Sequence, residues 1–517
     1  QPYTRGEDSG QNQWTWQHYN ATVGYDGTFG RHVVSASAGI LYNIYKTDFS
    51  QNGAAGKMVE YRHMTVNGAV NYAYDDRYVA TFSFAADGSD NYRPGNRWGF
   101  YPSLGLGWIV SRERFLRDSR MVDLLKLRAS VGKNGWDPMG EMRYLWEGYY
   151  TGRGGLNTGN SEHTWHGGTA LSYLPNPDVF AEKSLKYDAG IDLRLWNRLS
   201  LNVDLFLEKR SGIVTQDWMI PGASGVDNPP YRNIGRMTNK GFEVQLSWAD
   251  RIGDFNYALT GMASYNSNKV DYMAEVVTVP TAARTGRRLD ALFGYVADGF
   301  YDWDDFDVGG ELREGLPKPT FGAVQPGDIK YKNLNGDTVI DENDQTAIGD
   351  SYLPKLQYSF SLAASYKGFD LFALFQGAAG RDVNLLDAPL QNVAFRDNGN
   401  VYGIAEGRWA YYPEQGIDTR ATATYPRLSL QDNSNNYRNS TLWKRSGDFL
   451  KLRNVELGYT FAQPSLSKAG ISKIRIYLSG VNLLTVSRLM RDYDIDPEIL
   501  SGHPALKSYN LGLTVTF

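Results

Sequence analysis

Cysteine is entirely missing from this chain of 517 residues. Its absence excludes disulfides, thiolate metal sites and cysteine nucleophiles, and it fits a protein that crosses an oxidising compartment unfolded. Long hydrophobic runs are also missing, since no stretch approaches the roughly 18 to 20 apolar residues that a membrane-spanning helix needs. With a mean hydropathy of −0.45, the chain is not a helical membrane protein.

Neither positive nor negative charge is in large excess. The net charge is −4 and the isoelectric point is about 6.0, and without a basic stripe nucleic acid is excluded as a partner. The chain contains no nucleophile elbow and no metalloprotease helix, and its 6 histidines do not group with a suitable serine and aspartate. We therefore predict that it is not an enzyme and carries no catalytic residues.

The chain begins at Gln1, with neither a methionine nor a charged-then-apolar signal segment. We therefore expect a processed or partial chain that further sequence precedes. No proline-rich or serine-rich linker divides it, so we expect residues 1–517 to form one large unit.

Aromatic residues and glycine are abundant, and helical patterning is scarce. Aromatics reach 14%, with 35 tyrosines, and there are 55 glycines, which favours an all-β protein. The closing SYNLGLTVTF shows the pattern at its clearest: from Tyr509 to Phe517 odd positions are apolar and even positions are small or polar. A period of two predicts a strand with one apolar and one polar face.

The same alternation recurs upstream in pairs that predict hairpins. Residues 185–196 and 199–208 alternate in this way around Asn197 and Arg198, and KLQYSFSLAASY and FDLFALFQ flank Lys367-Gly368. Further strands are predicted at 78–85, 242–248 and 474–480. The phase slips near Arg453 and Asn454, which predicts a β-bulge.

Alternation alone does not distinguish a soluble sandwich from a membrane barrel, but three features favour the barrel. Aromatic residues lie near strand ends, as bilayer interfaces require. The strands run to roughly 10 to 14 residues, enough for a tilted crossing of the apolar layer. Connections also alternate between short and long, with short ones at 75–76, 197–198, 249–254 and 367–368 and long ones at about 133–182, 215–236, 269–352 and 380–446. We predict an antiparallel transmembrane β-barrel.

Several long motifs then appear in order between about Tyr72 and Phe517. They are DGSDNYRPGNRWGFYPSLGLGWIVSRERFL, LLKLRASVGKNG, NIGRMTNKGFEVQL, ASYNSNKV, PGDIKYKNLNGDTVIDENDQTAIG, YKGFDLFALFQG, SGDFLKLRNVELGYTF, SGVNLL and SYNLGLTVTF. Together they resemble the SusC/RagA family of TonB-dependent outer-membrane transporters.

That resemblance implies a plugged barrel of about 22 strands. It also implies a SusD-like surface lipoprotein as a lid, and uptake of an oligosaccharide or peptide substrate driven through the TonB complex. Phe517 resembles the aromatic end of the sorting signal that the barrel-assembly machinery reads. The long loops would be extracellular, the C-terminus periplasmic, and the outer-membrane lipid would surround the wall.

The chain departs from the family in lacking a plug, a TonB box and an N-terminal carboxypeptidase-regulatory-like domain. Segmentation gives about 15 strands from near Trp14 to Phe517, whereas bacterial barrels close with even numbers. An odd count places residues 1–13 outside the cell. We therefore expect the C-terminal part of a transporter, interrupted in an extracellular loop, with roughly 7 further strands and the plug elsewhere.

The stretch NLNGDTVIDEND has the oxygen spacing of a calcium loop. Its candidate ligands at loop positions 1, 3, 5, 7, 9 and 12 are Asn333, Asn335, Asp337, the Val339 carbonyl, Asp341 and Asp344. Asn at position 1, Thr338 where glycine makes the turn, and Asp at position 12 depart from the pattern. The alternative is a surface loop held by its own Asx turns. No other cofactor is indicated.

Other polar groups have simpler interpretations. Glu162, His163 and His166 in EHTWH lie in a glycine-rich stretch that favours an exposed loop over a metal site. The acidic triplet around Trp303 favours a solvated loop over glycoside chemistry, and its members are Asp302, Asp304 and Asp305.

Three functions stay open on the sequence. The first is active import, in which loop aromatics stack on sugar rings or contact peptide side chains, or else pack within the loops and against the lid; they are Trp165, Trp303, Tyr411 and Tyr412. The second is a passive porin, which needs neither plug nor energy coupling. The third is a soluble extracellular β protein that binds or cleaves glycans.

Overall fold

Fifteen strands of this chain form one continuous antiparallel sheet, in which neighbours in sequence are neighbours in space. The computed structural model describes residues 14–49, 57–137, 143–148, 150–158, 164–226, 228–277, 279–387, 392–395, 399–430, 433–461 and 470–517. The strands are β1 (Trp14–Phe29), β2 (His32–Phe49), β3 (Lys57–Tyr74), β4 (Tyr78–Ser89), β5 (Trp98–Ile109), β6 (Val122–Trp136), β7 (Glu182–Leu195), β8 (Leu199–Gln216), β9 (Tyr231–Ile252), β10 (Phe255–Tyr272), β11 (Leu356–Tyr366), β12 (Phe369–Ala379), β13 (Phe449–Phe461), β14 (Lys473–Ser487) and β15 (Ser508–Thr516).

The register gives the sheet one apolar and one polar face. Since directly paired residues point to the same side, the pairs that join Ile191 to Val203 and Val203 to Val244 form an apolar row across β7, β8 and β9. One residue along, Asp192 pairs with Asn202 and Asn202 with Gln245, which forms a polar row on the opposite face. The alternation seen in the sequence therefore describes two continuous surfaces of the whole sheet.

The connections differ between the two ends of the sheet. Successive turns of an antiparallel meander alternate between ends, so each end collects every second connection. One end, which we call the short-turn end, carries the connections 30–31, 75–77, 110–121, 196–198, 253–254, 367–368 and 462–472. The other, the long-loop end, carries 50–56, 90–97, 137–181, 217–230, 273–355, 380–448 and 488–507. By the same alternation, β1 starts at the long-loop end and β15 finishes at the short-turn end.

The predicted hairpins, the bulge and the strand count are confirmed. Lys367 and Gly368 have φ values of 47° and 89°, the left-handed pair that a two-residue hairpin turn requires. In the hairpin between β7 and β8, the residues with left-handed φ are Trp196 and Asn197. β7 therefore ends at Leu195, one residue earlier than predicted. Arg453 is the bulged residue, because Leu374 pairs with Asn454 while Phe375 pairs with Leu452.

Several strands are longer than the sequence predicts, and the connections between them are correspondingly shorter. β9 runs from Tyr231 to Ile252, so the connection predicted at 249–254 reduces to Gly253 and Asp254. The stretch 231–240 carries polar residues on both faces and lacks a period-two signal, yet its backbone ladder with β8 continues past a bulge near Gly212. Backbone pairing does not depend on side-chain polarity, which is why the pattern missed these extensions.

Shorter elements fill the long connections. Small strands lie at Tyr150–Thr158, Thr164–Leu171, Leu292–Gly294, Ala297–Phe300, Lys318–Pro319, Ile329–Tyr331, Val339–Ile340, Thr346–Gly349, Asp382–Asn384, Tyr411–Tyr412, Ile417–Asp418 and Lys444–Ser446. Among the helices that the structure describes in full, α1 is an α-helix that spans Arg488–Tyr493, and single 3-10 turns lie at Val110–Arg112, Gly222–Ser224, Pro280–Ala282, Trp303–Asp305, Glu342–Asp344, Leu385–Asp387, Gly403–Gly407 and Pro413–Gln415. None of the helices described is long and apolar enough to cross a membrane.

Three of these connections, 273–355, 380–448 and 488–507, share one hydrophobic core at the long-loop end. The first contributes Ile329 and Ile340, the second Trp443 and the third Leu489 and Ile495. Because segments far apart in sequence bury side chains against each other, they form one folded body, which we call the loop platform.

Gly241 in β9 is a position that tolerates no side chain. A Cβ there would collide with the carbonyl oxygen of Tyr265 on β10, and the Phe206 ring of β8 already covers the glycine. We expect Gly241→Ala to disrupt strand pairing at the centre of the sheet. The yield of folded protein, measured as the fraction whose gel mobility changes on boiling, should therefore fall. Gly261→Ala is the matched control, because nothing lies within 4 Å of that Cβ position; equal yields from both variants would contradict the prediction.

Candidate functional site: polar face and loop platform

The polar face carries an ion cluster centred on Arg128 of β6. Its Nη2 donates to Asp204 Oδ2 at 2.6 Å and its Nε to Asp192 Oδ1 at 3.4 Å. The guanidinium reaches across β7 to β8 because Gly190, which pairs with Arg128 in the register, has no side chain. A Cβ on Gly190 would lie 2.6 Å from the guanidinium carbon. Asp188 also lies 3.6 Å from Arg128 Nη1, and Lys126 Nζ lies 3.6 Å from Asp192 Oδ2, so the cluster contains two cations and three carboxylates.

A second ion cluster lies at the short-turn end of the same face. Arg475 of β14 donates through Nε to Asp370 Oδ1 at 3.0 Å and through Nη2 to Glu456 Oε1 at 2.6 Å. The three residues come from β12, β13 and β14, so the cluster ties together the last strands of the sheet. The charged side chains of the two clusters mark this face as the one that contacts water.

Between the two clusters the polar face holds a concave cavity of about 340 Å³. Glu243 accepts a hydrogen bond from Ser264 Oγ at 3.3 Å, and no cation within the described residues forms a salt bridge with it. The lining is rich in amide and carboxyl groups from five strands and includes Asn202, Asp204, Glu243, Gln245, Ser264 and Gln357. Such groups hydrogen-bond to hydroxyl or peptide groups of a ligand.

At the long-loop end, Asp137 holds the start of the connection 137–181 against the sheet. His63 Nε2 lies 2.9 Å from Asp137 Oδ2. Asn91 Nδ2 and the Tyr92 hydroxyl donate to Oδ1 at 2.9 and 2.8 Å, and Ser89 Oγ donates to Oδ2 at 2.5 Å. Burial favours the neutral acid, but these hydrogen bonds outweigh it and lower the pKa of Asp137.

The loop platform is organised around a buried carboxylate, Asp328. Asn433 and Asn436 both donate to its Oδ1 at 2.9 Å, and Arg427 Nε lies 2.7 Å from the same atom. Asn436 in turn accepts from the Ile329 amide at 2.8 Å. The polar side chains therefore replace the backbone pairing that irregular segments lack, and they join two connections that lie about a hundred residues apart.

A second buried network fastens the platform to the sheet. Lys451 of β13, 1% exposed, donates from Nζ to Asp496 Oδ1 at 2.7 Å and to Glu498 Oε2 at 2.8 Å. The bulged Arg453 also pairs with Glu498. Burial opposes ionisation of Asp496, yet the Lys451 ammonium and the Glu498 amide lower its pKa overall.

The proposed calcium loop lies in the platform, and its side chains bond to the loop itself. Asn333 Oδ1 accepts from the Gly336 amide at 2.6 Å, and Asp337 Oδ1 accepts from the Val339 amide at 2.8 Å. Asp344 is fully buried and accepts the amides of Leu334 and Asp341 at 2.7 and 2.9 Å. These are the Asx turns of the alternative interpretation; within the described residues no group of three or more His, Cys, Asp or Glu side chains is placed to hold a metal ion. The calcium assignment, which also uses Asn335, Asp341 and a carbonyl, stays a prediction.

The remaining candidate carboxylates and histidines have structural partners or fall outside the description. Glu162 and His163 lie outside the described residues, and His166 Nε2 contacts Thr158 Oγ1 at 2.8 Å. Asp302 accepts from the Trp303 amide at 2.8 Å, while Asp305 accepts from the Asp302 amide and pairs with Lys330 at 2.9 Å. These carboxylates act as caps and ion-pair partners of a turn.

Arg420 connects two of the segments that carry candidate loop aromatics. Arg420 stacks 3.9 Å from the Tyr411 ring centre and also reaches Asp302, next to Trp303. Trp165 lies on a different connection, in the hairpin 150–171, and is exposed like Tyr412. Phe517 follows β15 and is 86% exposed; its role as a sorting signal stays a prediction.

Sequence reasoning missed Asp328, Asn433, Asn436, Lys451 and Asp496. Each lies in or beside an irregular segment, where polar residues normally indicate a solvated loop. The run DNSNNY is the one local signal, because consecutive asparagines favour side-chain to backbone bonds. Their partners are 40 or more residues away, so only the folded chain reveals them.

Comparison with known proteins shows which family has a similar sequence. The family described as "TonB dependent receptor-like, beta-barrel" matches residues 1–483. TonB-dependent receptor P3 of Formosa agariphila is 26% identical over 95% of this chain and 51% of its own length. TonB-dependent receptor SusC of Bacteroides thetaiotaomicron is 26% identical over 87% of this chain and 43% of its own. The chain thus spans about half the length of the curated relatives it matches.

Solved structures agree on the fold. "Structure of the RagAB peptide transporter" aligns over 98% of this chain and 56% of the solved chain, with a TM-score of 0.72 at 21% identity. The same assembly in its "closed-closed" state aligns with a TM-score of 0.71. Together with the family match and the SusC relative, these structures confirm the resemblance noted in the motifs. On the family match over residues 1–483, this chain belongs to the TonB-dependent receptor-like β-barrel family of the outer membrane.

Proposed function

We propose that this chain is the wall and outer loop platform of an active importer for oligosaccharides or peptides, driven through TonB and assisted by a SusD-like surface lipoprotein. The observation that carries the proposal is the two-faced sheet: one apolar face, one polar face with ion clusters and a cavity, and a folded platform at a single end. A soluble sheet of this size would cover its apolar face with a second layer.

The apolar face suits lipid and the polar face suits an aqueous path. Large side chains stand exposed along the apolar face, among them Leu205, Leu246, Leu511 and Leu513. Leaving so many large apolar groups in water would be costly, whereas hydrocarbon accepts them. The polar face then lines the interior, where its amide-rich cavity contacts a hydrated substrate.

Orientation follows from the unequal ends. Outer-membrane barrels carry short turns on the periplasmic side and long loops outside. We therefore assign the loop platform to the cell surface, where the lipoprotein lid would bind, and Phe517 to the periplasm, where the barrel-assembly machinery would read it. The plug and the TonB contact are proposed on sequence beyond residues 1–517, in agreement with the greater length of the relatives.

Uptake in intact cells tests the proposal. Cells that express the protein should accumulate fluorescent oligosaccharides or peptides of one class, and depletion of TonB should abolish accumulation while the barrel remains in the outer membrane. Accumulation that persists without TonB would instead support a passive porin. Protein that stays soluble without detergent would exclude both. Co-purification of a surface lipoprotein tests the lid separately.

The calcium ion proposed for residues 333–344 has its own test. Calcium titration of the purified protein, followed by calorimetry, should give binding that the variant Asp337→Asn weakens, since it removes one anionic ligand. Heat exchange that is absent from both proteins would leave the Asx turns as the loop's sole support.

A further inference from the structure

The connection 110–121 at the short-turn end, which we call the arginine turn, differs from its neighbours in charge. It contains Arg112, Arg114, Arg117 and Arg120 against two carboxylates. Arg112 pairs with Asp76 at 2.7 Å, and Arg117 lies 3.8 Å from Asp118. For Arg114 and Arg120, both exposed, no salt bridge forms with any described residue.

Arginines in other turns at this end are already engaged. Arg31 lies 3.7 Å from Asp75, Arg198 lies 3.1 Å from Asp250, and Arg251 donates to the Gly253 carbonyl at 2.6 Å. Among the turns described at this end, the arginine turn is therefore the one that carries two arginines without a carboxylate partner.

The arginine turn folds over the apolar face. Glu113 Oε1 accepts the Tyr78 hydroxyl at 2.5 Å and Trp108 Nε1 at 3.1 Å. Tyr78 and Trp108 pair directly across β4 and β5 on the apolar face. These hydrogen bonds lower the pKa of Glu113, which keeps it ionised and fixes the turn beside the two rings. Phe115 projects from the turn and is 72% exposed.

The rings that hold Glu113 also border a shallow apolar depression of about 500 Å³. Ala80 lines it and has a smaller side chain than most of its neighbours there. The larger lining side chains are Tyr72, Tyr78, Leu106, Trp108 and Leu127. A free cationic turn and a groove for a hydrocarbon chain are therefore contiguous.

We propose that this surface binds one anionic phospholipid, with its phosphate on Arg114, Arg117 and Arg120 and one acyl chain in the depression over Ala80. Charge complementarity selects the headgroup, since guanidinium groups bind phosphate oxygens through several donors. The depression selects a lipid over free phosphate, which has no group to fill it. The site rests on the proposed function only in requiring the chain to lie in a membrane with this end at the inner leaflet.

Native mass spectrometry of the protein from nanodiscs of phosphatidylglycerol and phosphatidylethanolamine tests the site. The wild type should retain one phosphatidylglycerol after delipidation. The variant Arg114→Gln/Arg117→Gln/Arg120→Gln should retain at least about tenfold less, since one surface arginine contributes about fivefold in affinity for anionic lipid. The control Arg31→Gln/Arg198→Gln/Arg251→Gln removes the same charge from the paired positions and should retain lipid like the wild type.

A second variant examines the groove without changing charge. Ala80→Trp fills the depression and should also release the lipid, so the proposal stays testable if the triple variant fails to assemble. Equal retention by the triple variant and its control, equal retention of the neutral-headgroup lipid, or full retention by Ala80→Trp would each overturn the site. Uptake is a separate readout: lost import with retained lipid refutes the importer and leaves the lipid site standing.

Discussion

Replacement of Trp443 by alanine is expected to unfold the loop platform while the fifteen-stranded sheet remains intact. Trp443 is 1% exposed and lies in the core that three connections share. Its ring meets Tyr425 edge to face, with centres 5.5 Å apart, and its Nε1 donates to the Asn436 carbonyl at 2.7 Å. Removing a buried tryptophan side chain costs about 3 to 5 kcal/mol.

The damage should stay within the platform because its segments contribute no strands to the sheet. The lost Nε1 donor also frees a carbonyl next to Asn436, the residue that binds Asp328 and the Ile329 amide. Hydrophobic and polar supports of the platform are thus weakened together. We expect exchange protection in the short strands of 292–349 and 382–446 to fall by about 100-fold or more.

Hydrogen exchange followed by mass spectrometry measures this directly. Trp303→Ala is the matched control, since Trp303 belongs to the same platform but is 57% exposed; its effect should stay within about 0.5 kcal/mol. Protection that is lost equally from β7 to β12 would show that platform and sheet unfold as one unit, against the prediction.

Replacement of Lys451 by methionine should detach the connection 488–507 from the sheet. The change keeps the apolar stem but removes the cation between Asp496 and Glu498, of which Asp496 is buried. A buried carboxylate without its partner costs about 3 to 5 kcal/mol. Since Glu498 is partly exposed and keeps Arg453, we expect the lower end of this range.

The double variant Lys451→Met/Asp496→Leu discriminates between lost charge and lost packing. It removes both members of the pair, so it should recover most of the exchange protection of 488–505 that the single variant loses. Lys444→Met, at a partly exposed lysine 3.7 Å from Asp382, should change little. Failure of the double variant to recover protection would show that the ammonium is needed for another reason.

The same pair predicts a pH dependence. The pKa of Asp496 is lower in the folded protein than in an unfolded chain, where it is about 4. Its contribution to stability is therefore complete above that value and is lost as pH falls through the lower folded pKa. Exchange protection of 488–505, corrected for intrinsic rate, should stay level from pH 7 to about 5 and fall below about 4. A decline already present near pH 6 would contradict this account.

In the proposed importer, the loop platform would support the aromatic side chains that contact the substrate. Its core joins three connections at the long-loop end, while Asp137 fastens a fourth, 137–181, to β3 and β4. Exposed aromatics such as Trp303 and Tyr412 then stand on a firm support and not on free loops. In the proposed importer, this support would present the aromatic side chains to a substrate at fixed spacing, which would favour selectivity over passive passage.

Much of the sheet was readable from the sequence because local chemistry dictates it. Alternating side chains predicted the hairpin 185–208, the pair around Lys367-Gly368 and the bulge at Arg453. These features depend on residues near each other in the chain. The sequence did not predict residues 231–240 of β9, because backbone pairing continues there without an alternating side-chain pattern.

Alternating residues and the spacing of the turns were enough to predict a two-faced antiparallel sheet whose long connections gather at one end. The folded chain was needed to show that those connections form a platform and that Asp328, Trp443 and Lys451 hold it together. Alternation is a local property that each strand carries in its own residues, whereas a buried carboxylate such as Asp328 needs partners that folding brings from about a hundred positions away.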